Sequence, residues 1–307
     1  MLIILNFLRG EGIDEKLISE IECYRNFYKV NPDIKYRIPK PKYNYYGKEI
    51  WEEAITAVLC GENLLLVGPK ASGKNVFAEN LAAAFGRPIW DISFHVNTDF
   101  SSLVGADTFK NGQVIFRKGP IYECATLGGF GVLDEINMAR NESIALLHAI
   151  LDFRRIIDIP GYDRIPLEDA ARFIATMNYG YAGTRELNEA LVSRFMVIEM
   201  PTISSKNLMK LLKREFPNMK DKYLEQFIGL FKDLQKKSES SEISTKSVDL
   251  RGLISSIHLI DKGLKASEAL KMGITNKSFD GFEREIIEDV IRLRIPERAE
   301  RSEIFTD

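Results

Sequence analysis

The sequence of 307 residues has little cysteine, and its three cysteines, Cys23, Cys60 and Cys124, form no C-x-x-C pair. An odd and widely spaced set of this kind is typical of a reducing compartment rather than of a disulfide framework, and it suggests no zinc site. The 3 histidines also lie far apart in sequence, and none belongs to an i, i+4 pair. We therefore interpret them as packing or surface residues.

Long hydrophobic runs are absent as well. No apolar stretch approaches the roughly 18 residues that a membrane helix requires. The opening residues, MLIILNFLRGEG, are apolar but contain no basic n-region and no small-residue cleavage pattern, so we expect no signal peptide. These absences predict a soluble, cytoplasmic protein that has no membrane partner.

An excess of charge of either sign is missing too, since 42 Lys and Arg residues face 44 Asp and Glu residues, for a formal net charge of -2. No global positive field attracts nucleic acid, and we expect no such partner. One predicted helical face carries Lys206, Lys210, Lys213 and Arg214 without interleaved aromatic residues, and we interpret it as solvated. With 45% hydrophobic and 28% charged residues, the composition excludes disorder and allows one large domain plus a smaller one.

Short apolar runs alternate with helical patterns from Trp51 onward. The runs predicted as strands are 63–68, 87–94, 130–135, 172–178 and 195–200. Strands separated by helices of 8 to 13 residues indicate right-handed crossovers and a parallel sheet that is covered on both faces.

Two segments interrupt this alternation, and each predicts a hairpin. Residues 104–120 carry turn signals at Lys110, Asn111 and Gly112, and residues 154–167 turn at Pro160 and Gly161.

The chain thus divides into three predicted parts. Pro39 and Pro41 exclude a helix around them, so residues 1–45 are predicted as a leader arm that lies on a domain. Residues 46–202 form the predicted α/β domain. Only helical patterns follow Pro201, so residues 203–307 are predicted as a helical domain.

A phosphate-binding loop is predicted at GPKASGKN, which has the spacing G-x-x-x-x-G-K. Its glycines let backbone N–H groups converge on phosphate oxygens, and the lysine reaches the β and γ phosphates. The loop follows an apolar strand and opens a helix, as this mechanism requires. The cofactor-binding residues predicted here are Gly68, Pro69, Lys70, Ala71, Ser72, Gly73, Lys74, Asn75 and Val76.

Asn75 departs from the pattern, because a Ser or Thr hydroxyl usually holds Mg²⁺ after the lysine. An Asn carbonyl oxygen can also ligate a hard cation, although its side chain is longer. We expect nucleotide binding to survive this change and hydrolysis to be affected.

Two acids, Asp134 and Glu135, end the third predicted strand. Adjacent carboxylates at the carboxyl end of a parallel strand lie at the crevice where ligands bind. Asp134 is therefore predicted to hold Mg²⁺ through water, and Glu135 to polarise an attacking water.

Two further polar residues are candidates for catalysis. Asn178 ends the fourth strand and is predicted to orient the water or to sense the γ-phosphate, although an Asn that only terminates the strand is the alternative. Arg194 precedes the fifth strand, and a guanidinium there can stabilise a transferring phosphoryl group. A surface salt bridge is the alternative for Arg194.

With these residues in place, the sequence resembles the AAA+ ATPases, and within them the MoxR-like, dynein-related group that includes the activators of rubisco, nitric-oxide reductase and gas-vesicle assembly. The resemblance covers about residues 40 to 265. Its most specific parts are the hairpin insertions and their flanks: FSSLVGAD with FRKGPIYECA, LDEINMA, LHAILDFRRIIDIPG leading into FIATMNY, and LVSRF. It implies an α/β P-loop NTPase core of AAA+ type, with a five-stranded parallel sheet, two hairpin inserts and a C-terminal all-helical lid domain.

The resemblance also implies roles for the matching residues around ATP. Lys74 and the loop amides would bind the phosphates, and Asn75 and Asp134 would lie at Mg²⁺. Glu135 would be the catalytic base, and Asn178 the first sensor.

Two more roles implied by the resemblance involve arginines. Arg194 would be the arginine finger that acts on the neighbouring subunit's ATP. Arg251, in VDLRGLI, resembles the second sensor, and Lys246 is the alternative.

The partners implied by the resemblance are further copies of the chain and a protein client. The family assembles as rings, usually hexamers, because each site needs the next subunit's arginine. Such rings are similar to remodelling machines that work with a partner carrying a von Willebrand factor A domain. The first hairpin, with Phe109, Val114, Ile115 and Phe116, would grip a client or, alternatively, pack onto its own domain.

Two other functions remain open on the sequence. A nucleotide-gated scaffold with little hydrolysis is suggested by Asn75. A nucleic-acid-linked motor, similar to the GTP-using restriction subunits of a related AAA+ branch, is the second.

Overall fold

The structure is a computed structural model that describes residues 2–140, 144, 147–159, 161–178 and 186–306. The chain divides into two compact units. The first comprises the residues up to Pro69 together with Gly73–Pro201, and the second comprises Lys70–Ser72 and the residues from Thr202 onward. Each unit is described by itself below.

The first unit is built on a sheet of five parallel strands. The strands of this unit are β1 (Leu64–Val67), β2 (Ile89–Ser93), β3 (Gly105–Lys110), β4 (Gln113–Lys118), β5 (Phe130–Asp134), β6 (Ile156–Ile157), β7 (Ile165–Pro166), β8 (Arg172–Met177) and β9 (Met196–Glu199). The sheet has the order β2-β5-β8-β1-β9, and all of its pairs are parallel. The predicted five-stranded parallel sheet is confirmed.

β1 shows why the strands read as unbroken apolar runs. It lies between β8 and β9, and all four of its residues are buried. A strand that is covered on both faces must be apolar throughout, because alternate side chains point to opposite faces of the sheet. The register sets Leu66 opposite Thr176 and Val67 opposite Met177 on β8.

Helices cover this sheet. They are α1 (Leu2–Gly10), α2 (Glu15–Phe27), α3 (Lys48–Leu59), α4 (Lys74–Phe85), α5 (Phe100–Leu103), α6 (Pro120–Thr126), α7 (Leu147–Leu151) and α8 (Glu189–Val192). Two 3₁₀-helices accompany them, at Pro32–Arg37 and Ile136–Met138. The helical sequence pattern over 141–153 contains α7, and residues 141–143, 145 and 146 of that stretch lie outside the described residues.

The amino-terminal segment is more ordered than a leader arm. α1 and α2 bury Leu5, Leu8, Ile18 and Ile21 in the same apolar core as Trp51 of α3. The buried residues within each helix are spaced three apart, so they lie on one helical face. Because that face shares an apolar cluster with Trp51, α1 and α2 belong to the domain core. Residues 38–47 form neither helix nor strand, as the two prolines there predict.

Two short antiparallel pairs form the hairpin inserts. β3 pairs with β4, and β6 pairs with β7. The β3–β4 turn has Asn111 at φ 50° and Gly112 at φ 80°, which is the left-handed pair that a two-residue hairpin turn favours. Pro160, at the turn expected for the second hairpin, lies outside the described residues.

The second unit is helical, and this prediction is confirmed. Its helices are α9 (Ser205–Glu215), α10 (Asp221–Glu239), α11 (Leu250–Asp261), α12 (Ala266–Gly273), α13 (Gly281–Arg294) and α14 (Arg301–Ile304). A 3₁₀-helix at Thr275–Lys277 lies between α12 and α13. Leu230 and Phe231 of α10 and Ile257 of α11 are buried in one apolar cluster.

No helix within the described ranges is both long and apolar enough to cross a bilayer.

Candidate active site

The candidate site lies at one edge of the sheet. β5, β8 and β1 are neighbours in that order, and parallel strands end at the same edge. Val67 of β1 leads into the predicted phosphate loop, Asp134 closes β5, and Asn178 directly follows β8. Residues far apart in the chain are therefore brought to one crevice.

The phosphate loop has an unusual backbone, as its predicted function requires. Ala71 has φ 62° and Gly73 has φ 85°, and α4 begins at Lys74. Left-handed residues turn successive backbone N–H groups toward a common point, where an anion binds. The positive end of α4 follows directly, so the loop and helix together suit phosphate.

Tyr45 supports this loop from the first unit's own core. A Cβ atom at Gly73 would lie 3.3 Å from the Tyr45 ring, and the same ring packs edge-on against Phe77 of α4 at 4.8 Å between centroids. Burial raises the pKa of the Tyr45 hydroxyl to about 12. Tyr45 thus packs beneath the loop, and glycine is needed at position 73 for both its torsion angle and its space.

Lys74 is held in place by its own loop. Its Nζ donates to the carbonyl oxygens of Gly68 at 2.9 Å and Pro69 at 2.8 Å, and the residue is 7% exposed. Burial lowers the pKa of Lys74 to about 8, against the opposing effect of Asp134 and Glu135. That electrostatic coupling indicates that the lysine and the two acids share one site.

Thr176, on β8, is hydrogen-bonded to both acids and was not predicted from the sequence. Its Oγ1 donates to Asp134 Oδ1 at 2.6 Å and accepts from the backbone N–H of Glu135 at 3.1 Å. Glu135 has φ 54°, a left-handed conformation that costs energy in a non-glycine residue. The available signal was a polar residue near the carboxyl end of the buried and mostly apolar strand β8.

Asn178 contacts the second acid, as its predicted role needs. Its Nδ2 lies 3.4 Å from Glu135 Oε1. Asn137, which is 2% exposed, donates from Nδ2 to the carbonyl oxygen of Asn178 at 3.2 Å. Sequence reasoning did not single out Asn137, although it lies within the LDEINMA segment.

The two predicted metal ligands differ in exposure. Asn75 is exposed in the first turn of α4, and Asp134 is half-buried. In the described part of the chain, no group of three or more His, Cys, Asp or Glu side chains is arranged to hold a metal by itself. Mg²⁺ is commonly held by one or two carboxylates together with substrate phosphates and water, so Asp134 beside the phosphate loop fits this ion.

A further carboxyl group adds negative charge near Asp134. Burial raises the pKa of Asp91 on β2, and the charge of Asp134 raises it further. Burial and Asp91 in turn raise the pKa of Glu79 on α4. Arg37 acts in the opposite direction and lowers the pKa of Asp91.

Arg194 is engaged with a different part of the first unit. Its Nε donates to the carbonyl oxygen of His148 at 3.2 Å, and Nη1 donates to that of Ala190. Its Nη2 lies 3.9 Å from Asp152 Oδ2, a carboxylate that Arg154 also binds. These contacts do not include a residue of the crevice.

Arg251 belongs to the second unit, where it lies in the first turn of α11. Its backbone N–H donates to Asp249 Oδ1 at 3.0 Å, which caps the helix, and its side chain is exposed. Its role as second sensor, and that of Lys246, stay predictions.

The first hairpin has one packed and several exposed apolar residues. Phe116 contacts the rings of Tyr122 and Tyr162 at 5.7 and 5.2 Å. Phe109 is 75% exposed and its cross-strand partner Val114 is 67% exposed. Packing therefore accounts for Phe116 and leaves the tip of the hairpin open to solvent.

A five-stranded parallel sheet, with a phosphate loop after β1 and paired acids after β5, defines a P-loop nucleotide-binding protein of the AAA+ class. A family model of the AAA domain, dynein-related subfamily, matches residues 63–195. The Bacillus subtilis protein YojN is 32% identical over 285 residues, which cover 91% of this chain and 92% of that protein. A Staphylococcus haemolyticus protein is 32% identical over 261 residues, which cover 83% of this chain and 98% of its own.

A solved structure from Cytophaga hutchinsonii is also similar, with 16% sequence identity and a TM-score of 0.44 over 89% of this chain and 96% of that one. The chain therefore belongs to the same family as these Bacillus and Staphylococcus proteins, and its residues 63–195 match the AAA domain of the dynein-related subfamily.

Proposed function

We propose that this chain is an ATP-hydrolysing AAA+ protein of the MoxR-like group that assembles as a ring and remodels or activates a protein client. The observation that supports the proposal is the grouping of Lys74, Asp134, Glu135 and Asn178 at the ends of three adjacent strands. Phosphoryl transfer needs an ammonium group that binds phosphate, a carboxylate that binds the metal, a general base and an amide that orients the base.

Binding rests on the loop and on two side chains beyond it. The backbone N–H groups of the loop and the Lys74 ammonium hold the phosphates, and Asn75 and Asp134 supply oxygens toward Mg²⁺. ATP would supply the transferable phosphoryl group, and Mg²⁺ held by these residues would neutralise phosphate charge. Lys74 exchanges its two carbonyl partners, Gly68 and Pro69, for phosphate oxygens.

Hydrolysis depends on Glu135. Its carboxylate accepts a proton from the attacking water, whose oxygen bonds to the γ-phosphorus while ADP leaves. Asn178, with its amide 3.4 Å from Glu135 Oε1, orients the carboxylate and the water. The strained backbone of Glu135 holds the base at the strand end.

Arg194 is proposed to act on the ATP of the neighbouring subunit. In the described structure, Arg194 contacts the 148–152 segment rather than the crevice of its own subunit. Its charge is therefore proposed to act on ATP bound by a second subunit. An arginine supplied in trans typically raises phosphoryl-transfer rates about 10³-fold or more. This dependence favours a ring, with a hexamer as the expected size.

The client side of the proposal rests on the first hairpin. Phe109 and Val114 are exposed at its tip, and exposed apolar residues of this kind suit contact with a protein client. A partner with a von Willebrand factor A domain is proposed on the family resemblance alone.

A nucleotide-gated scaffold is the second candidate. Asn75 replaces the Ser or Thr that usually holds Mg²⁺, and its side chain is exposed in the first turn of α4. Weak metal binding would permit ATP binding and assembly with little turnover.

The test is Mg²⁺-dependent ATP hydrolysis measured across a range of protein concentrations, with Glu135→Gln as control. Specific activity that rises with concentration and disappears in the variant supports a shared-site motor. ATP binding without turnover at every concentration supports the scaffold. GTP preference or turnover stimulated by DNA would instead support a nucleic-acid-linked motor.

A further inference from the structure

Thr176 occupies a position between the two acids and the phosphate loop. It lies on β8, between β5 and β1, and is 1% exposed. Its partner on β1 is Leu66, and the register that pairs Leu133 with Ala175 brings Asp134 beside it on the other side. A buried hydroxyl in the central layer of the sheet must be hydrogen-bonded to be tolerated.

The hydroxyl group of Thr176 has both of its roles filled. The Asp134 carboxylate can only accept, so Thr176 Oγ1 donates to Asp134 Oδ1 at 2.6 Å. The backbone N–H of Glu135 can only donate, and it lies 3.1 Å from the same oxygen. One side chain thus fixes the rotation of the first carboxylate and the backbone of the second acid.

The two bonds act on different parts of the machinery. The bond to Asp134 engages Oδ1 and so orients the carboxylate that would hold Mg²⁺. The bond to Glu135 holds a residue whose φ of 54° is otherwise unfavourable. Valine has nearly the volume of threonine but can form neither bond.

We infer that Thr176 is a positioning residue that sets the Asp134 carboxylate for Mg²⁺ and the Glu135 backbone for catalysis, an inference that rests on the proposed ATP-hydrolysing function. Its hydroxyl hydrogen bonds go to the two acids. Residues that orient a metal ligand in this way commonly change metal affinity or activity 10-fold to 100-fold when replaced.

A purely structural role makes a different prediction. If Thr176 only joins β8 to β5, its loss lowers the unfolding temperature and leaves the Mg²⁺ requirement of the folded protein unchanged. The Mg²⁺ requirement therefore separates the two roles, and a stability measurement alone does not.

The experiment compares Thr176→Val with Thr176→Ser, which retains the hydroxyl. Affinity for a fluorescent ATP analogue is titrated against Mg²⁺ in the Glu135→Gln background, where turnover does not consume the ligand. In this background, we expect Thr176→Val to raise the half-saturating Mg²⁺ concentration about 10-fold or more. Its affinity for the ATP analogue without Mg²⁺ should stay within about twofold of that of the Glu135→Gln chain that retains Thr176. Thr176→Ser should match the parent within about twofold.

An unchanged Mg²⁺ half-saturation in folded Thr176→Val overturns the inference. If that variant does not fold, the same titration of Thr176→Ala decides the question. The rate of ATP hydrolysis by the parent chain is measured in parallel. If the parent chain does not hydrolyse ATP, the proposed function is refuted. If the parent chain hydrolyses ATP but Thr176→Val leaves the half-saturating Mg²⁺ concentration unchanged, only the role of Thr176 is refuted.

Discussion

The Nζ atom of Lys74 donates to the carbonyl oxygen of Gly68 at 2.9 Å, so the phosphate-binding lysine rests on the loop that precedes it. Its burial lowers the pKa to about 8. Phosphate oxygens stabilise the charged form, so the pKa of Lys74 rises when nucleotide binds. Nucleotide binding is therefore coupled to proton uptake above pH 8.

The first prediction is a pH dependence of nucleotide affinity. Affinity should be constant below about pH 8 and fall above it, by at most tenfold for each pH unit, because only protonated Lys74 attracts phosphate. The measurement is Mg²⁺-free binding of a fluorescent ATP analogue from pH 7 to 10. Lys74→Arg is the matched control, since arginine stays charged over this range. A flat profile for the parent chain would contradict the prediction.

The second prediction concerns Asn75. Replacing Asn75 by Thr supplies the hydroxyl that usually ligates Mg²⁺. We expect Asn75→Thr to lower the half-saturating Mg²⁺ concentration and to raise turnover, and Asn75→Ala to do the reverse. Steady-state ATP hydrolysis against Mg²⁺ concentration measures both effects. Brisk hydrolysis by the parent chain, unchanged in Asn75→Thr, would dismiss the scaffold function.

The third prediction tests whether Arg194 acts between subunits. Arg194→Ala and Glu135→Gln should each be nearly inactive alone. Mixing them creates sites that combine an intact Glu135 from one subunit with an intact Arg194 from its neighbour. Part of the ATPase activity should therefore return in mixtures. Activity that stays at the level of the separate variants would argue against a shared site.

The fourth prediction concerns the stability of the first unit. Phe77 is fully buried between the rings of Tyr45 and Trp51, at 4.8 and 5.0 Å. Phe77→Ala should lower the free energy of unfolding by about 3–5 kcal/mol. Phe109→Ala, at a site 75% exposed, should change it by less than about 0.5 kcal/mol.

Urea unfolding followed by tryptophan fluorescence is the appropriate measurement. Both of the chain's 2 tryptophans, Trp51 and Trp90, belong to the first unit, so their emission reports the unfolding of that unit. If Phe77→Ala and Phe109→Ala lowered the free energy of unfolding equally, the aromatic cluster around Phe77 would not be a principal part of this core.

The sheet and most helices could be predicted because their signals are local. α4, for example, begins at Lys74 after the phosphate loop and ends at Phe85, directly before Gly86, whose φ is 63°. The amino-terminal helices were not predicted, because the prediction for residues 1–45 relied on the prolines at positions 39 and 41. Those prolines restrict only their near neighbours.

The candidate site could be predicted only in part, for a related reason. Lys74, Asp134 and Glu135 lie in motifs whose spacing carries the chemistry. The link from Thr176 to Asp134 joins residues 42 positions apart, and it arises from strand order and register. Local sequence patterns do not encode such pairings.

We propose that one crevice binds ATP through Lys74 and hydrolyses it through Glu135. The most direct test measures ATP binding and phosphate release with Mg²⁺ for the parent chain, Lys74→Ala and Glu135→Gln. We expect turnover by the parent chain, loss of both binding and turnover in Lys74→Ala, and binding without turnover in Glu135→Gln. Phosphate release by Glu135→Gln at the parental rate would contradict it.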